Sequence, residues 1–218
     1  MKILITGSAG FIGYHLSKSF LEDGQEVLGV DNINSYYDKN LKIDRLENLK
    51  SYKNFQFKKV DISEKDSIKK VFEFFKPNKV VNLAAQAGVR YSIENPYAYM
   101  NSNLIGFLNI IELCRHNNVD GLVYASSSSV YGGNKEIPFS TDHRVDDPIS
   151  LYAASKKSNE LIANRVLYYE GLAKYFNSTS VDYLTQKNME DTIHKYAPKM
   201  GLCGACFNGN YEDKLLNW

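Results

Sequence analysis

The sequence is short of most features that would tie a chain to a special environment. It holds three cysteines, Cys114, Cys203 and Cys206, an odd count that cannot build a disulfide framework, so reduced thiols and a cytoplasmic setting are expected. No run approaches the roughly 18 consecutive apolar residues of a membrane span. Met1 to Ile5 passes straight into a strand-like segment, with no space for a charged leader and cleavage site. A membrane partner is therefore not expected. An excess of one charge sign is missing too: 26 Lys and Arg against 25 Asp and Glu leave a formal net charge of +1. That balance carries no nucleic-acid footprint, and nucleic acid is not an expected partner. Internal repeats and low-complexity linkers are absent. The 44% hydrophobic and 23% charged content is that of an ordinary globular protein and excludes disordered and fibrous classes. With 218 residues there is room for one domain of about 160 residues and an appendage.

What is present is an alternation of short apolar runs with longer stretches of helical period, the pattern of repeated βα units on a parallel sheet. Strands are expected near residues 2 to 6, 26 to 31, 55 to 60, 79 to 84 and 120 to 126. Helices are expected near 11 to 23, 39 to 50, 63 to 76, 98 to 118 and 149 to 164. Right-handed crossovers then give an α/β fold with a doubly wound parallel sheet of Rossmann type, in the order 3-2-1-4-5. After about Ala163 the alternation stops. The expected division is a nucleotide-binding domain over 1–164 and an unrelated, irregular or helical tail over 165–218 that is not an independent domain.

Between the first strand and first helix runs Thr6-Gly7-Ser8-Ala9-Gly10-Phe11-Ile12-Gly13, with glycines spaced GxxGxxG. Gly7 suits the tight turn, Gly10 the approach of backbone to a pyrophosphate, and Gly13 close packing of helix on sheet. Phe11 and Ile12 open the helix, whose N-terminus offers N–H groups and a positive dipole end to phosphates. Asp31 ends the second strand, where a carboxylate accepts both ribose hydroxyls of an adenosine and repels a 2′-phosphate. No arginine stands beside it in the sequence, so NAD is the expected cofactor. Asp31 also reads as a turn former before Asn32. Asp61-Ile62 follows the third strand, and Asp61 fits equally an adenine contact and an N-cap for a helix beginning near Ser63.

Tyr152-Ala153-Ala154-Ser155-Lys156 stacks a phenol and an ammonium on one helix face. A free tyrosine has a pKa of about 10, so half ionisation near neutral pH needs roughly 4 kcal/mol of preferential phenolate stabilisation. A neighbouring cation supplies stabilisation of that kind. The fifth strand runs into Ser126-Ser127-Ser128-Ser129-Val130-Tyr131-Gly132, which puts hydroxyls at the carboxyl edge of the sheet, where doubly wound folds bind ligands. A plain polar loop is the competing reading.

The glycine loop, Asn82-Leu83-Ala84-Ala85, the serine run and the Tyr152/Lys156 pair together resemble the extended short-chain dehydrogenases/reductases. More narrowly, Ala84-Ala85-Gln86-Ala87-Gly88-Val89-Arg90-Tyr91-Ser92 and Asp31-Asn32-Ile33-Asn34-Ser35-Tyr36-Tyr37-Asp38 resemble the UDP-glucuronate 4-epimerases. The resemblance runs from Met1 to about Ala163. It implies an NAD-dependent redox epimerisation of a UDP-sugar through a 4-keto intermediate, with Tyr152 as base. By position in the motifs, Ser127 matches the catalytic Ser/Thr, Lys156 the lysine that holds the nicotinamide ribose, and Asn103 a polar residue near the cofactor. Ala84 joins Gly7, Gly10, Phe11, Ile12, Gly13, Asp31, Asp61 and Ile62 as a cofactor contact. Arg90 and Ser129 are the candidates for the substrate, Arg90 because its fork suits a carboxylate, although it reads equally as a surface residue. A homodimer is compatible with the family.

Family members continue past the Tyr-x-x-x-Lys helix into a further strand and a substrate-binding lobe, and neither is recognisable here. The tail, with Cys203-Gly204-Ala205-Cys206-Phe207-Asn208-Gly209, instead resembles the carboxyl end of amidophosphoribosyltransferases, and Glu160-Leu161-Ile162-Ala163 is compatible with both families. Cys203 and Cys206, even with His194, fall short of the four ligands of a cluster or structural zinc, so no metal site is expected. The readings left open are a 4-epimerase, a truncated NAD-binding fragment with little or no activity, and a non-functional fusion.

Overall fold

A computed structural model describes residues 1–177. The strands are β1 (Lys2–Thr6), β2 (Glu26–Asp31), β3 (Phe55–Lys59), β4 (Lys79–Asn82) and β5 (Gly121–Tyr124). All pair in parallel, in the order β3-β2-β1-β4-β5, as the crossover rule requires. β1 lies at the centre because it is apolar on both faces. Ile3 and Ile5 pack with Leu16, Phe20 and Leu21 of α1 (Phe11–Glu22) and with Leu46 and Leu49 of α2 (Lys39–Lys50). Leu4 points the other way, into Ile68, Val71, Phe72 and Phe75 of α3 (Lys65–Phe75) and Ile110 of α6 (Gly106–His116). The α3 residues recur at i, i+3, i+4 and i+7, one stripe of the helix. This is a doubly wound Rossmann fold with helices on both faces.

Two departures from the sequence pattern bear on the site. A short helix not expected from the sequence, α4 (Tyr91–Glu94), precedes the helix expected over 98 to 118, which is itself broken into the end of α5 (Pro96–Tyr99), a π-helical turn over Met100–Ile105, and α6. Apolar periodicity continues through Phe107, Ile110 and Ile111, so the pattern does not report the wide turn, which aims Asn103 into the interior. The last described helix, α7 (Leu151–Asn177), runs past Ala163 and through the boundary expected at 164. No proline interrupts that stretch. Cys203, Cys206, His194 and the rest of the tail sequence lie outside the described residues.

Candidate active site

The carboxyl ends of β1, β2, β4 and β5 open on one cleft, a cavity of about 330 Å³ in the range of small-molecule sites. The glycine loop forms its floor. Gly7 adopts φ +71°, and a Cβ on Gly13 would fall 2.1 Å from Gly7 O, so loop and helix meet at a distance only glycine allows. No side chain caps α1, which leaves its first-turn N–H groups for a ligand. Gly7, Gly10, Phe11 and Ile12 line the cleft, while Gly13 sits behind them.

Asp31 is the turn former that the sequence allows, and it ties the glycine loop as well. Its Oδ1 accepts from Ile33 N at 2.8 Å, closing the turn, and its Oδ2 accepts from Ala9 N at 3.2 Å, pinning the glycine loop. The carboxylate also lines the cleft. No arginine stands beside Asp31 in the sequence, but the fold brings cations to the glycine loop and to the loop after β2. Arg45 of α2 donates to Ala9 O at 3.3 Å, and Lys42 stacks 4.4 Å over the Tyr37 ring with Nζ on Asn34 O and Oδ1 at 3.1 and 2.9 Å. Burial lowers the Lys42 pKa, and Asp31 opposes that shift. Lys42 and Arg45 share a helix face at spacing i, i+3, the one sequence signal that could have placed them.

Asp61 is not an N-cap of α3, because Glu64 occupies that position. Its carboxylate closes an earlier turn, accepting from Ser63 N and Oγ at 2.9 and 2.7 Å and from Asn32 Nδ2 at 2.8 Å. Burial works against its ionisation, and these hydrogen bonds outweigh burial and hold it below the usual carboxylate range. Asp61, Ile62 and Ala84 all line the cleft.

At the other end α7 is sewn to the exit of β5. Lys156 Nζ donates to Ala125 O at 2.9 Å, and burial pulls its pKa down to about 8. One turn on, Glu160 accepts from Ser126 Oγ at 2.5 Å and from Lys157 Nζ at 3.2 Å. Ser127 Oγ accepts from Ser129 N at 3.2 Å and Ser129 Oγ at 2.8 Å, so these two serines form one pair. The Tyr152 ring meets the buried Tyr99 edge-on, with centroids 6.0 Å apart.

Asn103 spends its amide inside the protein. Oδ1 accepts from Gln86 N at 2.8 Å, while Nδ2 donates to Gln86 O at 3.0 Å and Ser155 Oγ at 2.9 Å. Asn159 Nδ2 donates to Asn103 O at 2.6 Å, satisfying a carbonyl of the π turn. Asn103 thus brackets the loop after β4 to α7 from behind the cleft. Arg90 is exposed beside α4 and is not among the residues that line the cleft.

The family model for GDP-mannose 4,6 dehydratases matches residues 4–197. The chain belongs to this family of NAD-dependent epimerases and dehydratases. It is 58% identical over 164 residues to protein CapI of Staphylococcus aureus, covering 75% of this chain and 49% of that one. It is 46% identical over 169 residues to the UDP-glucuronate 4-epimerase of Thermodesulfobacterium geofontis, covering 78% and 52%. The crystal structure of UDP-glucuronic acid 4-epimerase from Bacillus cereus, in complex with UDP-glucuronic acid and NAD, superposes with a TM-score of 0.69 at 34% identity. That superposition covers 75% of this chain and 51% of the Bacillus chain. The family member described here therefore spans about half the length of the relatives it matches.

Proposed function

We propose that the chain binds NAD in this cleft and that its catalytic end is that of a nucleotide-sugar 4-epimerase acting on UDP-glucuronate. The observation that carries the reading is the hydrogen bond from Lys156 Nζ to Ala125 O, which ties the turn of α7 bearing Tyr152 and Lys156 to a residue of the cleft lining, although neither side chain itself lines the cleft. The residues fit a dinucleotide. The floor admits backbone-close approach, the helix N-terminus is uncapped, and Asp31, whose carboxylate lines the cleft, would accept from ribose hydroxyls. Bound NAD would supply reversible hydride acceptance at the sugar C4. Tyr152 would take the proton of the 4-hydroxyl and return it after the 4-keto sugar has turned over. Lys156, still largely protonated at pH 7 with its pKa at about 8, favours the phenolate. Ser127, held by Ser129, would pass the hydroxyl proton to Tyr152. Arg90 and Ser129 are proposed substrate contacts. The fully bonded Asn103 supports the cofactor site by holding Gln86.

A cytoplasmic homodimer is part of this reading. The exposed Ile105, Leu108 and Leu161, on the π turn, α6 and α7, are the face proposed to pair. We further propose that the NAD-binding domain closes near residue 164 and that 165–218 is an unrelated extension.

A second reading is favoured by one observation, the half-length match: an NAD-binding unit without the lobe that grips UDP-sugar, with little or no turnover. Calorimetric titration with NAD, beside an epimerase assay with UDP-glucuronate on the chain and its Tyr152→Phe variant, separates the two. Turnover lost in the variant with NAD binding kept supports the epimerase. NAD binding without turnover in either protein supports the second reading, and turnover by the variant at the parental rate refutes Tyr152 as base.

A further inference from the structure

The loop between β2 and α2 carries two consecutive tyrosines that reach opposite walls of the cleft. The Tyr37 hydroxyl lies 3.8 Å from where a Cβ on Gly10 would stand, over the glycine loop. Tyr36 reaches the loop after β4, with its ring 5.0 Å from that of Tyr91 and its hydroxyl 2.3 Å from the position of a Cβ on Gly88. Gly88 adopts φ +99°, so this position favours glycine twice, by backbone conformation and by the phenol lying on it. Each side of the contact is anchored. Asn34 accepts from Tyr36 N at 3.3 Å and from Lys42 Nζ at 2.9 Å. Opposite, the buried Tyr99 donates its hydroxyl to Ala87 O at 2.8 Å and also lies against Gly88 O. Between the anchors the Tyr36 ring packs against Tyr91 and its hydroxyl against Gly88, and Tyr36 is 44% exposed. Asn34 and Tyr36 line the cleft from one wall, and Gln86 and Ala87 from the other.

We propose that Tyr36, clasped onto Tyr91 and Gly88, is a gate that a dinucleotide must open both to enter and to leave the cleft. The inference rests on the dinucleotide-binding reading above and adds a rate-controlling residue to it. A contact that only touches bound ligand slows departure. A clasp that closes the mouth with or without ligand raises the barrier in both directions and leaves affinity nearly unchanged.

The test is stopped-flow binding of NADH, read by nucleotide fluorescence, on the full chain and on Tyr36→Ala, Gly88→Ala and the double variant. Tyr36→Ala should raise the association and dissociation rates together, by about two- to tenfold, the range to which an aromatic pair's contact energy converts. The dissociation constant should stay within about twofold, since both rates move together. Gly88→Ala, whose new Cβ drives the phenol off, should accelerate both rates in the parent and act much less when Tyr36 is already gone, since only the strain of its φ +99° backbone then remains. A rise in dissociation rate alone, or rates equal to the parent's, overturns the gate while leaving dinucleotide binding intact. A parent chain that fails to bind NADH overturns both.

Discussion

Replacing Lys156 by methionine should stabilise the folded chain at neutral pH and remove one component of its pH dependence. Lys156 is 6% exposed, and burial pulls its pKa from the ordinary 10.5 to about 8. The folded state therefore binds fewer protons than the unfolded state between those values, and stability rises with pH across that window. Below pH 8 the charged ammonium is held in the fold at a cost of about 3 kcal/mol relative to high pH. Methionine has no such cost but abandons the hydrogen bond to Ala125 O, worth about 1 kcal/mol. Lys156→Met should accordingly exceed the parent by about 2 kcal/mol at pH 7 and fall about 1 kcal/mol below it at pH 10.5. Cys114 and Tyr99, both pushed up to about 12, weaken the fold at high pH in either protein, so the quantity to read is the difference between the two profiles. Urea unfolding followed by circular dichroism at half-unit intervals from pH 7 to 10.5 gives that difference. A flat difference curve would show that Lys156 is not held in a desolvated site, and the account of its role beside Tyr152 would fall with it.

Asn103→Ala leaves the buried Gln86 N–H and C=O without their partner, and should lower stability by about 3 kcal/mol in the same unfolding assay. A loss below about 1 kcal/mol would mean that the bracket is dispensable. Asp31→Asn removes the charge that disfavours a 2′-phosphate while Lys42 and Arg45 remain. The NAD to NADP affinity ratio should drop by at least about tenfold by calorimetry, and an unchanged ratio would exclude Asp31 as the discriminating group.

How legible the molecule was in its sequence depended on whether each feature is written locally. The run Ile3-Leu4-Ile5 announces a strand buried on both faces, and the chirality of crossovers converts five such runs into the observed order. Tyr152 and Lys156 were legible because helix period alone stacks them. The π turn was not, since the apolar pattern carries no local sign of it and the partners that its Asn103 finds, Gln86 and Ser155, are distant in sequence. Lys42 and Arg45 escaped for a related reason: an inspection of the residues beside Asp31 does not see what α2 brings across. The extent of α7 was misjudged because a change in composition after Ala163 looked like an end, whereas helix continuation answers to backbone propensity and the absence of proline.

β5 has a consequence of a different kind. Among the described residues its only strand partner is β4, and it carries the half-buried Leu122 and Val123 at the last position of the sheet. The margin of a parallel sheet is where a further extended segment, of the same chain or another, can add by backbone hydrogen bonds. With a formal net charge of only +1, the molecule has little electrostatic repulsion to keep such margins apart. The strand whose exit leads into the serine run proposed for catalysis is therefore also the place at which the sheet can be extended.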